Sequence, residues 1–158
     1  MSQMRTIGDI LNDAEIFSDG DWVESKDQDK NGNVRLTQLA DIGLGYWVDK
    51  SARFMTDEKA TKLRCTFLKK GDLLMARMPD PIGRCCVFPG DKYPCVSVVD
   101  VCIMRPNPLA VDSRYLMHTI NSPRGLHSIL KHVTGTTRKR IARSKLAKIK
   151  IPLPPLSE

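Results

Sequence analysis

The sequence predicts an α+β domain of mostly antiparallel, twisted strands with several short helices, and three observations carry that expectation. Short apolar stretches of strand character recur up to Met104, separated by turns rich in Gly, Pro, Asp and Asn. Helical periodicity is confined to brief segments near the start, around Thr56 and after Asp112. A chain of 158 residues can also bury a single core without disulfide or metal staples.

Ile7, Ile10 and Leu11 share one face of an opening helix. Asp19-Gly20-Asp21 and Asn31-Gly32-Asn33 then supply turn chemistry on either side of a polar stretch. Residues 24–33 are too polar for a core and read as a mobile charged loop, the kind of loop tip that can touch a ligand. Trp22, beside Val23, has the ordinary reading of a packing aromatic, and Asp21 that of a turn acid. Val34 and Leu36 alternate as in a strand that reaches at most Gln38. Thr56 followed by Asp57 and Glu58 predicts an N-cap with acids in the first turn of a helix to about Leu63.

Lys70-Gly71-Asp72 predicts a tight turn, and Leu73 to Ala76 a strand buried on both faces, ended by Pro79-Asp80-Pro81. Cys85–Phe88 and Val96–Met104 read as two further strands, with Val99, Val101 and Ile103 on one face of the second. After Asp112-Ser113 the period becomes helical, and Ser122-Pro123 starts a second helix with Ser as N-cap and Pro in its first position. Leu126, Ile129, Leu130 and Val133 form its expected core stripe, ended by Gly135. Residues 146–151 alternate again and predict a closing strand before Pro152-Leu153-Pro154-Pro155.

Charge is distributed unevenly along this framework. Residues 113–157 hold 10 Lys and Arg, all three His and no acid, whereas residues 1–112 hold 15 basic and 17 acidic residues. The whole excess of the +7 chain therefore sits at one end. This points to a polyanion, nucleic acid before membrane, because the basic stretch lacks a long one-sided amphipathic helix and no apolar run could span a bilayer. Five cysteines (Cys65, Cys85, Cys86, Cys95 and Cys102) without a C-x-x-C pair read as reduced, half-buried small hydrophobes. With no apolar leader after Met1-Ser2-Gln3-Met4-Arg5, the expected location is cytoplasmic.

Catalytic motifs are absent. The sequence has no phosphate-binding Gly loop followed by Lys-Ser/Thr, no G-x-G-x-x-G and no H-E-x-x-H. Arg105-Pro106-Asn107-Pro108 lacks the second Pro and the aromatic that an amino-methyltransferase needs. His118, His127 and His132 have no matched nucleophile or carboxylate and read as surface or capping residues. Asp19 or Asp21 with Glu24 and Lys26 echoes a Mg²⁺-dependent nuclease, as does Asp57-x-Lys59, but such loose spacing recurs by chance in any charged loop.

The segment Thr134 to Lys145 carries the strongest local signal. Wound as a helix, its five cations would point all round the axis, so a loop leading into a short turn is the better reading. There Gly and Thr offer donors to phosphate oxygens, and Arg forks can reach phosphates or a guanine edge.

Thr134-Gly135-Thr136-Thr137-Arg138-x-Arg140-Ile141, followed by Leu146, Ile149 and Ile151-Pro152-Leu153-Pro154-Pro155-Leu156-Ser157-Glu158, resembles the end of a target recognition domain of type I restriction–modification specificity subunits. Asp19 to Asp27 is similar to the opening loop of one branch of these domains. Gly71-Asp72-Leu73-Leu74, Pro79 to Arg84 and Val99-Asp100 are similar to its middle. The resemblance covers nearly the whole chain, so residues 1–158 are expected to form a single recognition domain. In the family Pro-Pro-Leu-x-Glu is followed by a long connecting helix, with Ser157 as its expected N-cap. A chain stopping at Glu158 is expected to be one domain of a longer subunit or a truncated gene product, binding DNA more weakly than two linked domains.

The resemblance implies a non-catalytic domain that reads one half of a bipartite double-stranded DNA target. It implies no cofactor on this chain, with S-adenosylmethionine on a partner modification subunit and cleavage by a restriction subunit. Arg138, Lys139, Arg140, Arg143 and Lys145 are expected to hold phosphates, joined by Thr136 and Thr137. Base reading is expected from Glu24, Ser25, Lys26, Asp27 and Arg84, where a carboxylate could accept from cytosine and a cation could donate to guanine. Two other readings stay open: a protein-interaction domain with a basic face, and a Mg²⁺-dependent nuclease using Asp21, Glu24 and Lys26.

Overall fold

The computed structural model describes residues 3–156; Ser157, the expected helix cap, lies outside them. The first half of the chain runs β1 (Gln3–Thr6), α1 (Ile7–Ile10), β2 (Ile16–Asp19), β3 (Val34–Thr37), β4 (Phe54–Met55) and α2 (Asp57–Lys62). It continues through β5 (Leu73–Ala76), β6 (Cys85–Val87), β7 (Cys95–Ser97) and β8 (Val101–Arg105). The last third is α3 (Ser113–Asn121), α4 (Pro123–Leu130), α5 (Arg143–Leu146) and β9 (Lys150–Leu153). This is the α+β architecture the sequence predicts.

The central sheet has the order β2-β8-β5-β6 and is antiparallel throughout. β5, β6 and the Val101–Met104 part of β8 are apolar without interruption because both faces are covered there, whereas the half-buried β2 ends in Ser18 and Asp19. The two-residue period sends Leu73, Met75, Cys102 and Met104 into one core and Leu74, Ala76, Val101 and Ile103 into the other. The first core is closed by α1, α3 and α4 and by Ile141, Leu146 and Ile149 near the C-terminus. The second is closed by Ile42, Leu68 and Phe88, with Trp47 edge-on to Phe88 at 5.3 Å. Burying each of Leu73, Leu74 and Ile103 completely contributes about 1.5–3 kcal/mol.

A smaller sheet, β4-β3-β7, encloses Val34, Leu36, Met55, Ala60 and Val96. Its β3–β7 pair is parallel, an exception to the mostly antiparallel expectation. β3 is buried along its whole length because Arg35 and Thr37 also point inward. The Arg35 guanidinium meets Asp49 at 2.6 Å and Asp91 at 2.8 Å, and it donates to the Ser51 carbonyl. β1 pairs with β9, bringing the first and last strands together.

The caps follow the sequence. The Thr56 hydroxyl accepts from Lys59 N, the Asp112 carboxylate from Arg114 N and the Ser122 hydroxyl from Gly125 N. Three expectations need correction. Val96–Met104 is not one strand: β7 and β8 belong to different sheets, and the chain turns between them through Asp100 at φ +69°. Val101 and Ile103 do share a face, but Val99 lies in that turn. Strand pairing near the end starts only at Lys150, because Arg143–Leu146 forms a helical turn that buries Leu146. In α4 the buried line runs through Gly125 and Ile129, so Leu130, one step further round the helix, is exposed.

Cys85, Cys86, Cys95 and Cys102 are fully buried and Cys65 is half-buried, all of them unpaired. Among the described residues no helix is long and apolar enough to cross a membrane.

Candidate nucleic-acid interface

The basic segment is built as a hairpin. Thr134 N donates to the Arg140 carbonyl and Arg140 N to the Thr134 carbonyl, both at 3.0 Å. The chain reverses through Gly135 at φ +106°, where a Cβ would lie 2.6 Å from the Arg138 carbonyl oxygen. No other residue fits that corner without strain. Thr136, Thr137, Arg138 and Lys139 form the tip and are exposed. They face Met78, Pro79, Asp80 and Ile82 across a shallow cleft of about 220 Å³.

Immediately after the hairpin, Ile141 plugs into the large core at 0% exposure. Its backbone is clamped by Arg77: Ile141 N donates to the Arg77 carbonyl at 3.2 Å, and Arg77 Nη1 donates to the Ile141 carbonyl at 2.9 Å. The Arg77 guanidinium in turn lies 2.9 Å from Asp19 and 3.4 Å from Asp100. These two acids also meet the outer cations: Asp100 holds Arg140 at 3.1 Å, and Asp19 lies 3.6 Å from Arg143. Arg143 further covers the Phe17 ring, 5.5 Å from its centroid. The base of the hairpin is thus tied to the central sheet by a charge ladder.

The tip is different. Among the described residues, Arg138, Lys139 and Lys145 make no ion pair and are exposed. Their charge is free to act on an external anion: residues 113 to 157 contain no carboxylate, and Asp80, across the cleft, forms no ion pair with them among the described residues.

The second group of expected contacts divides. Glu24 and Ser25 are exposed, and Lys26 reaches back to Glu24 at 3.2 Å while its side chain stays 78% exposed. Asp27 instead caps its own turn, its carboxylate accepting from Glu24 N at 3.1 Å, and it lies 3.8 Å from Lys59. The stretch read as a mobile loop therefore contains an ordered 3₁₀ turn, Ser25–Asp27. Arg84 is a correction. It is only 8% exposed, and its guanidinium donates to the carbonyls of Ile42 at 2.7 Å, Pro79 at 2.7 Å and Leu39 at 3.0 Å. Burial lowers its pKa, and each guanidinium nitrogen is already bonded to a backbone carbonyl inside the fold. Its work is to hold two loops to the sheet.

The acids of the nuclease reading do not converge. Asp21 is half-buried with its carboxylate accepting from Thr66 N at 2.9 Å, and burial raises its pKa despite that bond. Glu24 turns away to Trp22 and Lys26. Among the described residues no group of three His, Cys, Asp or Glu is placed to hold a metal ion.

Sequence reasoning passed over Arg77, Asp19 and Asp100 as the hairpin's anchors. The only trace of them was their position beside turns, since partners 23 to 124 residues apart leave no local pattern. Of the two roles open to Trp22, a packing aromatic or a surface contact, its 70% exposure excludes the first.

Residues 2–158 match the family model described as the type I restriction modification DNA specificity domain. No curated protein matches the chain. Among solved structures, a chain from a type I R-M system whose complex assembly and conformational transition were studied superposes with a TM-score of 0.70 at 19% identity, over 99% of this chain and 35% of that one. The S subunit of a type I restriction-modification system from M. genitalium gives 0.60 at 16% identity, over 97% and 34%. The HsdS subunit from Thermoanaerobacter tengcongensis gives 0.63 at 18% identity, over 99% and 34%. At these identities the structures speak for the fold, and the chain spans about a third of the length of each. The match across all but its first residue makes the chain a member of the type I restriction modification DNA specificity domain family.

Proposed function

We propose that this domain reads one half of a bipartite double-stranded DNA target within a type I restriction–modification complex and performs no chemistry itself. The observation that carries the proposal is the hairpin tip: Arg138 and Lys139, without ion pairs among the described residues, stand on a base locked to the sheet by Arg77. An ordered scaffold with unneutralised cations suits phosphate anchoring, the sequence-independent part of DNA affinity. Arg138, Lys139 and Lys145 are the main phosphate contacts, with Thr136 and Thr137 donating from their hydroxyls. Arg140 and Arg143 are shared between phosphates and their own carboxylates. Base reading falls to Glu24, Ser25 and Lys26, whose side chains are exposed.

Adenine methylation, with S-adenosylmethionine as donor, is assigned to a modification subunit and cleavage to a restriction subunit. The complex is assigned to the cytoplasm, in keeping with five unpaired cysteines.

The test joins the domain to the connecting helices and second domain of a type I specificity subunit of known target, co-expresses the modification subunit and maps methylated adenines in the host genome. The expected result is a new bipartite motif altered only in the half assigned to this domain. An assembled complex that keeps its old motif, or that loses methylation altogether, would favour a protein-docking role for the basic face instead.

A further inference from the structure

The turn after β2 carries an aromatic side chain that neither the cores nor the basic hairpin uses. Trp22 is 70% exposed, although its backbone is held firmly. Asp21 N donates to the Ser97 carbonyl at 2.8 Å and Val99 N to the Asp21 carbonyl at 3.1 Å, while the Asp21 carboxylate takes Thr66 N. Gly20 packs so tightly that a Cβ would lie 2.1 Å from the Val98 carbonyl oxygen. On the far side, the indole Nε1 donates to Glu24 at 3.4 Å, and Glu24 belongs to the turn closed by Asp27. The exposed indole stands on a fixed platform and not on a floppy strand of chain.

The same edge of the fold bears the cations. Val99, bonded to Asp21, is followed by Asp100, which holds Arg140. Asp19, three residues before Trp22, lies against Arg143. Lys26 projects beside the indole from the shared partner Glu24. An exposed apolar ring on a fixed turn, with Lys26 held by its own partner Glu24 and with Arg140 and Arg143 held by Asp100 and Asp19 on adjoining backbone, fits a ligand that is anionic outside and apolar within. Duplex DNA has that character, with charged phosphates bordering stacked bases. A fixed indole also loses little conformational entropy on contact, which is why such rings act as anchors in interfaces.

We infer that Trp22 is a DNA-contacting residue of this domain, its ring packing on base edges or sugars while Lys26 and the hairpin hold the adjoining phosphates. The inference rests on the DNA-reading role proposed above. It adds a contact of a different kind, one that depends on apolar area instead of charge.

The test uses the full chain and a mixed-sequence 40-base-pair duplex. Trp22 is exposed and Trp47, the other tryptophan, is half-buried against Phe88, so acrylamide quenching of fluorescence reports mainly on Trp22. The expected result is quenching that falls when duplex is added. Trp22→Ala should weaken binding about tenfold with the slope of log affinity against log salt unchanged, because an apolar ring releases no counterion. Trp22→Phe should recover most of the loss. If Arg138→Ala lowers the salt slope while Trp22→Ala binds as the native chain does and acrylamide still reaches the bound indole, the Trp22 contact is overturned and the DNA reading stands. If the native chain binds no duplex, both fall.

Discussion

Arg84 and Arg138 belong to two loops that face each other across one shallow cleft, and they have opposite fates. Arg84 is buried, with its donors spent on the carbonyls of Leu39, Ile42 and Pro79. Arg138 is exposed and makes no ion pair among the described residues. Arg35, Arg77 and Arg105 side with Arg84, each tying distant segments through carboxylates or carbonyls. A buried carbonyl or carboxylate needs a donor, and an arginine fork can serve several acceptors at once. At the hairpin tip Arg138 pairs with no such acceptor among the described residues, so the same residue type keeps its charge for a partner. Basic composition alone therefore overstates the binding surface.

The sharpest way to break this contrast is stability. Arg84→Ala should cost about 3–5 kcal/mol, since it leaves a void at a buried position and strips donors from the carbonyls of Ile42, Leu39 and Pro79. Arg138→Ala should stay within about 0.5 kcal/mol of the native chain. Urea unfolding midpoints at equal m-value decide the matter, and equal midpoints for the two variants would erase the distinction. Somewhat smaller is Asp72→Asn. Asp72 is 2% exposed and holds Arg105 at 2.7 Å, so loss of its charge should cost about 3 kcal/mol.

On the binding side the order reverses. Arg138→Ala should reduce the salt slope by about one phosphate contact, read as duplex affinity across a series of salt concentrations. Arg140→Ala should reduce it less, because Arg140 already has Asp100 as a counterion. Equal losses from the two variants would mean that the internal carboxylates do not compete with phosphate.

The smallest effect is in acid. Burial pushes the Asp91 carboxyl up, but the hydrogen bond and charge of Arg35 outweigh it and hold the pKa below the ordinary 3.8. Its stabilising contribution is therefore complete above 3.8 and is lost as pH falls through the depressed folded value. Asp21 has the opposite sign: burial raises its pKa, so its contribution is greatest below 3.8 and is lost as pH rises through the raised folded value. Asp91→Asn should flatten the acid loss of stability, whereas Asp21→Asn should steepen it, both read from thermal midpoints between pH 5 and pH 3.

Much of this molecule was legible residue by residue. The caps at Thr56, Asp112 and Ser122, the doubly buried run from Leu73 to Ala76 and the loop character of 134–140 all rest on neighbours within a few positions. The candidate site was legible in part. The hairpin cations were expected outside and the structure puts them there, whereas Arg84 and Asp27, also charged and also expected to face DNA, serve the fold. The break between β7 and β8 was hidden because Val96 to Met104 is apolar almost throughout. Only the pairing of β7 with β3, and of β8 with β2 and β5, reveals two sheets.

By itself the sequence determined the fold class, the turns and caps, the concentration of positive charge after Asp112 and the resemblance that the family match bears out. These depend on local backbone preference, side-chain period and net charge, all of which are properties of adjacent residues. Tertiary structure alone decided which arginines keep a free charge, which acids anchor the hairpin and that Trp22 stands exposed. Each of those outcomes is set by which distant acceptors or apolar side chains come within a few ångströms, and chain order does not encode that distance.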